Sequence, residues 1–252
     1  MPSLETPAII ISVKDFGEAD RLVTFLTPKR GRLTGVAKHA RKSKKRFANC
    51  LEPLSRVTLF LSERARGDLE FLEKGEAVRS FAALRRDLAR LGAAALLGEL
   101  AAEMASPPES TAAIFSILEA AFALLEEGAP PDSLLPVFLL RLLKLGGYGL
   151  NLHRCQVCGQ EPQPPLLVSL SKGGIICGAC PRAPGPQVSL NPGAWKLLRL
   201  AQDLPPEKLG RLRFPPGQRG QSLGLLRLFI RHHLGRDLKA WSFWDKVAFP
   251  AK

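Results

Sequence analysis

Four cysteines stand in two tight pairs, Cys155 with Cys158 and Cys177 with Cys180, and eighteen residues lie between the pairs. The segment around them, about 153–186, is poor in apolar side chains and rich in Gly and Pro, so it cannot fold by burial alone. A reducing compartment favours metal-binding thiolates over disulfides, and C-x2-C-x18-C-x2-C is a spacing at which two thiolate-bearing turns close around one tetrahedral Zn(II). Gly159 follows the first pair and Gly178 lies within the second, which lets backbone N–H groups approach the sulfurs and offset their charge. Four sulfur ligands fill the coordination sphere and leave no place for a substrate or an activated water. The implied ion is structural. With four sulfurs present, His153 is expected beside the ligands or facing solvent, and the fifth cysteine, Cys50, reads as a small buried hydrophobe.

The rest of the chain changes its periodicity once. Five segments before residue 80 carry strand patterns: PAIIISVKD, DRLVTFLT, GRLTGVAK, SRVTLFLSE and DLEFLEKGEAV. Five short strands suggest a small barrel. From Phe81 the spacing becomes helical, through Leu84, Leu88 and Leu91 to Leu96, Leu97 and Leu100. Ser106-Pro107-Pro108 and Gly128-Ala129-Pro130-Pro131 separate at least three helices, and Gly146-Gly147 ends the run. Asn191-Pro192 caps a further helix to about Gln202, and another is expected from about Arg219 to Leu234, with Gly235 placed to stop it. The two helical blocks flanking the cysteines are expected to pack together. The fold class is therefore α+β, with an N-terminal barrel over residues 1–80 and a mainly helical domain over 81–252 that carries the cysteine module.

Charge narrows the function. The 252 residues hold 36 Lys plus Arg against 23 Asp plus Glu, a net charge of +13. Lys29, Arg30, Arg32, Lys38, Arg41, Lys42, Lys44, Lys45 and Arg46 place nine cations and no acid within eighteen residues. The segment Phe81–Leu135 has a balance of −5, and Trp195–Lys246 one of +7. A dense cationic run beside a sheet is what phosphate binding calls for. Glu119 and Arg141 break the longest apolar runs below the ~18 residues of a membrane span, and the opening residues lack the pattern of a secretory signal. The expected location is the cytoplasm, with no membrane partner. No nucleotide-binding glycine loop, H-E-x-x-H, G-x-S-x-G or zinc-deaminase pattern occurs, so no catalytic residue is assigned. His39 reads as a contact or spacer within the basic run, His232-His233 as favourable charge near a helix end, and Trp195, Trp241 and Trp244 as packing groups.

The opening TPAIIISVKDFGEADRLVTFLTPKRGRLTGVAKHARKSKKRF, the join LLRLLKLGGYGLNLHRCQVCG and the ending HHLGRDLKAW resemble the bacterial RecO family of DNA-repair recombination mediators. The likeness covers nearly the whole chain. It implies that the barrel is an OB-fold and that Cys155, Cys158, Cys177 and Cys180 hold one zinc ion. It implies binding of single- and double-stranded DNA, annealing of complementary strands, and loading of the RecA recombinase, together with RecR, onto strands coated by single-strand-binding protein. The acidic, Phe-ended tail of that protein is an implied partner, and the chain is implied to associate with the nucleoid. In the family's basic loop a Gly commonly stands where this chain has His39, so the turn there is a point of departure. The alternatives are an RNA-binding or ribosome-associated zinc protein, since OB barrels also serve RNA, and a metal-dependent nuclease, for which the basic loop lacks a clear carboxylate cluster.

Overall fold

A computed structural model describes residues 3–43, 45–62, 69–105, 108–181 and 184–248. The chain divides into two compact units, Met1–Glu127 and Gly128–Lys252.

The first unit is built on the five expected strands: β1 (Ser3–Phe16), β2 (Asp20–Thr27), β3 (Gly31–Ala37), β4 (Arg56–Ser62) and β5 (Glu70–Arg79). They close into a barrel in the order β1-β2-β3-β5-β4, antiparallel except for β3 with β5. Alternation decides which side chains point inward. Along β4, Val57, Leu59 and Leu61 are buried, and they meet Ala8, Ile10, Val23, Phe25, Ala37 and Leu72 in one core. The connection from β3 to β4 contributes as well, since Ala40, Phe47, Cys50 and Leu51 join the same cluster. That loop is folded into the barrel core.

Two helices complete this unit, α1 (Leu88–Met104) and α2 (Pro108–Glu126). The helical spacing that starts at Phe81 does not begin an α-helix there. Phe81 adopts left-handed backbone (φ 48°), a 3-10 segment spans Ala82–Arg86, and α1 starts only after Asp87, whose carboxylate accepts the Arg90 N–H at 3.0 Å. The acidic helices face arginines of the barrel. Arg32 meets Glu103 at 3.0 Å, Arg56 meets Glu119 at 3.2 Å and Arg79 meets Glu126 at 2.8 Å. The −5 segment thus complements basic side chains of the strands it packs against.

The second unit holds α3 (Pro131–Leu145), α4 (Pro192–Asp203), α5 (Pro216–Leu234) and α6 (Ala240–Ala248). Asn191 caps α4 by accepting the Ala194 N–H at 2.7 Å, and Gly235 ends α5 with φ 69°. Helix α5 begins a turn before the expected Arg219, at a proline suited to a first turn. α3 packs with α4 and α5, so the helices on either side of the cysteines do associate within this unit, while α1 and α2 belong with the barrel. The cysteine segment also differs from expectation. It contains two four-residue strands, β6 (Leu166–Ser169) and β7 (Gly174–Cys177), which with β8 (Gln187–Leu190) just beyond it form a sheet in the order β7-β6-β8, with Leu166, Val168, Ile175 and Ile176 buried. All three tryptophans are buried, as expected of packing groups. No described helix is long and apolar enough to cross a membrane.

Candidate nucleic-acid interface and metal centre

The eight described cations of the basic run do not form one patch. Lys29 and Arg30 lie in the β2–β3 turn and Arg32 at the start of β3, whereas Lys38, Arg41, Lys42, Lys45 and Arg46 follow its end. At about 3.3 Å per residue, β3 puts roughly 20 Å between the two groups. The first group is partly neutralised: Arg30 pairs with Glu70 and Arg32 with Glu103, leaving Lys29 exposed. In the second group Arg41 lies 3.7 Å from Asp15 and donates to the Glu18 carbonyl at 3.2 Å. Lys38, Lys42, Lys45 and Arg46 are exposed, with no carboxylate partner among the described residues. Lys44 lies outside the described residues.

The loop that carries this second group alternates cations with anchors. Phe47, Cys50 and Leu51 are buried beneath Lys45 and Arg46, and the Gly75 N–H donates to the Arg46 carbonyl at 2.9 Å. Gly75 allows this closeness, since a Cβ there would lie 2.7 Å from Cys50 Sγ. Burial pushes the Cys50 thiol up to about 11, which leaves it protonated and inert. Lys38 stands over the Phe71 ring and Arg46 over that of Phe47. Two side chains absent from the sequence expectation complete the surface. Arg21, from β2, joins Arg41, Ser43, Phe47, Asn49 and Glu52 around a cleft of about 430 Å³, and its buried Nε makes no hydrogen bond among the described residues, although Asp15 lies 3.9 Å away. Phe16, at the β1–β2 turn, is 51% exposed, with register neighbours Asp15 and Arg21 beside it. Charge counting could not find it; only its place at a hairpin tip near the loop marks it.

The four clustered cysteines come together, with their sulfurs within 4.8 Å of one another. The Cys155 and Cys180 sulfurs are 3.8 Å apart, and a tetrahedral ion with metal–sulfur bonds of ~2.3 Å requires about the same edge. The backbone N–H groups of Val157 and Cys177 point at Cys155 Sγ (3.5 and 3.4 Å), and that of Gln163 at Cys177 Sγ (3.3 Å). Burial raises the Cys155 thiol, but backbone donors from Cys158, Cys177 and Val157 outweigh it and hold the group at about 6. Burial, then hydrogen bonding and repulsion from Cys155 and Cys158, pushes Cys180 up to about 12. One thiolate is stabilised and Cys180 resists ionising beside it, a conflict that a divalent cation resolves. These residues can hold a metal. His153 is not among them; its Nε2 faces Asp203 at 3.3 Å.

Two family models together span most of the sequence: "Recombination protein O N terminal" matches residues 1–81 and "Recombination protein O C terminal" residues 85–242. The chain belongs to the RecO family. Proteins named "DNA repair protein RecO" from Syntrophus aciditrophicus and Myxococcus xanthus are 33% and 35% identical to it, covering 96% and 98% of this chain and 95% and 99% of their own length. One from Roseiflexus sp. is 36% identical over 96% of this chain and 85% of its own. Within this chain of the RecO family the turn at His39 has a clear geometry. His39 takes φ 56°, the left-handed region that glycine enters without strain, and its N–H donates to Asp20 at 2.7 Å. The backbone there takes a shape that suits glycine, although the residue carries an imidazole.

Proposed function

We propose that this chain is a non-enzymatic recombination mediator that binds single- and double-stranded DNA, anneals complementary strands, and acts with RecR to load RecA onto strands coated by single-strand-binding protein. One observation carries the reading: a loop pinned into the barrel by Phe47, Cys50 and Leu51 holds Lys38, Lys42, Lys45 and Arg46 in solvent without carboxylate partners. Such cations replace the counterions condensed on a phosphate backbone and so bind with little regard for sequence. Lys44 belongs to the same basic run, Arg41 and Arg21 extend the surface into the cleft, and Lys29 with the paired Arg30 and Arg32 offers a weaker contact at the far end of β3. Phe16 adds a ring on which an unpaired base can stack. Annealing follows from charge, because a cationic surface that holds two strands screens their repulsion and raises their effective concentration.

In this reading residues 1–80 are the DNA-binding OB-fold domain and residues 81–252 the helical part of the chain, of which α1 and α2 pack on the barrel. The module at about 153–186 takes one structural zinc ion through Cys155, Cys158, Cys177 and Cys180. Bound there, the ion holds β6, β7 and the first cysteine turn together where apolar burial is small. The tail of single-strand-binding protein, acidic and ended by Phe, is a further partner in this reading. Action on DNA places the chain in the cytoplasm with the nucleoid.

Comparison of matched single-stranded DNA and RNA, followed by annealing of complementary oligonucleotides, tests the proposal. DNA binding with accelerated annealing is expected. Strong preference for RNA without annealing would replace it with an RNA-binding zinc protein, and magnesium-dependent cleavage with a nuclease.

A further inference from the structure

The second unit exposes an aromatic surface that the proposed function leaves unused. Tyr148, just past the Gly146-Gly147 stop of α3, is the chain's one tyrosine and is 38% exposed. Its ring lies 5.0 Å from that of His233 on α5, tilted by 48°. The His233 ring also meets Phe229 at 4.4 Å and His232 at 5.2 Å, both near edge-to-face. Spacing of i, i+3 and i+4 puts Phe229, His232 and His233 on one stripe of α5. Phe229 is buried and serves as the anchor, whereas His232 is exposed.

Two lysines lie on the segments that meet this stripe. The Gly149 backbone, next to Tyr148, packs on the Lys144 side chain, so that a Cβ at Gly149 would lie 3.6 Å from Lys144 Cγ. Lys172 occupies the β6–β7 turn beside Gly173, where a Cβ would lie 4.0 Å from Phe229 Cζ. Both lysines are exposed, and neither has a carboxylate partner among the described residues. Burial, followed by the neighbouring His232, lowers the His233 pKa against a hydrogen bond with the Leu170 backbone, so this ring is uncharged near neutral pH. Its buried Nε2 has no hydrogen-bond partner among the described residues.

Exposed rings interleaved with unpaired cations are the chemistry that grips unpaired nucleic acid, because every base offers a face for stacking and every phosphate a charge. Base pairs within a duplex keep those faces covered. We infer that Tyr148 and His232, with His233 in contact with both rings and Lys144 and Lys172 on adjoining segments, form a second contact for single-stranded DNA that holds bases by stacking, while the barrel loop holds phosphates. The inference rests on the proposed DNA-binding function and adds to it a preference for unpaired strands.

The test uses the intact protein and fluorescence anisotropy on a labelled oligothymidine and on a duplex of equal length. Tyr148→Ala is expected to weaken single-strand binding by at least about fivefold, the lower end of a stacking loss. Duplex binding should stay unchanged, and Tyr148→Phe should behave as the unaltered chain. Circular dichroism and thermal melting verify the fold of each variant. As a second readout independent of any substitution, photo-crosslinking of a 5-iodouracil oligonucleotide to the unaltered chain should yield adducts on Tyr148 or His232. Unchanged single-strand affinity in Tyr148→Ala, equal losses on duplex, or crosslinks confined to the barrel would each overturn the inference. A chain that binds no DNA at all would instead sink the proposed function, and this contact with it.

Discussion

Simultaneous replacement of Lys42, Lys45 and Arg46 by Ala removes three of the four described loop cations that lack carboxylate partners and leaves Phe47, Cys50 and Leu51 in the barrel core. If Lys38, Lys42, Lys45 and Arg46 each neutralise one phosphate, they contribute about −2.8 to the slope of log K for single-stranded DNA against log salt, at ~0.7 per contact. Between about 50 and 200 mM salt these four contacts alone should cost the unaltered chain about fiftyfold in affinity. The triple variant loses three of them and keeps every other cation, so its slope should be flatter by about 2.1 and its loss over the same range about twentyfold smaller. Arg32 is already paired with Glu103 at 3.0 Å, so Arg32→Ala should leave the slope nearly as steep as in the unaltered chain. Anisotropy titrations of an oligothymidine across a salt series give all three slopes, with melting curves to verify folding. A triple variant with an unchanged slope, or an Arg32→Ala slope flattened as far as the triple variant's, would refute the assignment of phosphate contacts to the β3–β4 loop.

Three other outcomes are expected. Cys177→Ser should reduce bound zinc, measured by atomic absorption, and lower the melting temperature, while DNA affinity stays within about twofold because the sulfurs fold their own module. Gly75→Ala brings a methyl group within 2.7 Å of Cys50 Sγ, so it should cost about 1–3 kcal/mol in denaturant titrations and disturb the loop; stability equal to that of the unaltered chain would mean the loop is not pinned there. His233 should make stability fall under mild acid. Its folded-state pKa is lowered by burial, so the unfolded chain takes up the proton first as pH falls below about 6.5, and stability is lost from there through the lower folded value. Denaturation midpoints of His233→Phe should lack that component, and a slope identical to that of the unaltered chain would contradict it.

Alternation along segments such as Val57-Thr58-Leu59-Phe60-Leu61, together with proline and glycine stops, made the barrel strands and most helices legible in the sequence. The cysteine centre was legible because its spacing is itself geometry. What escaped was set by contacts between distant residues. Strand β7, Gly174–Cys177, is buried along all four residues and shows no alternation, so neither it nor its partners announced a sheet. Phe81 fits a helical period, yet it adopts φ 48° and is buried against Phe122, with ring centroids 5.6 Å apart. The basic run read as one field because counting charges ignores the length of β3 and the partners Glu70 and Glu103, supplied from far along the chain. Phe16 and Arg21 carried no local signal; the fold alone places them near the loop.

The most direct measurement is the annealing rate of complementary oligonucleotides, naked and coated with single-strand-binding protein, with the unaltered chain and with the Lys42, Lys45 and Arg46 triple variant. The loop account predicts rapid annealing by the unaltered chain in low salt, suppressed by added salt, and a slow rate with the variant under every condition. Equal rates for the two proteins would contradict it.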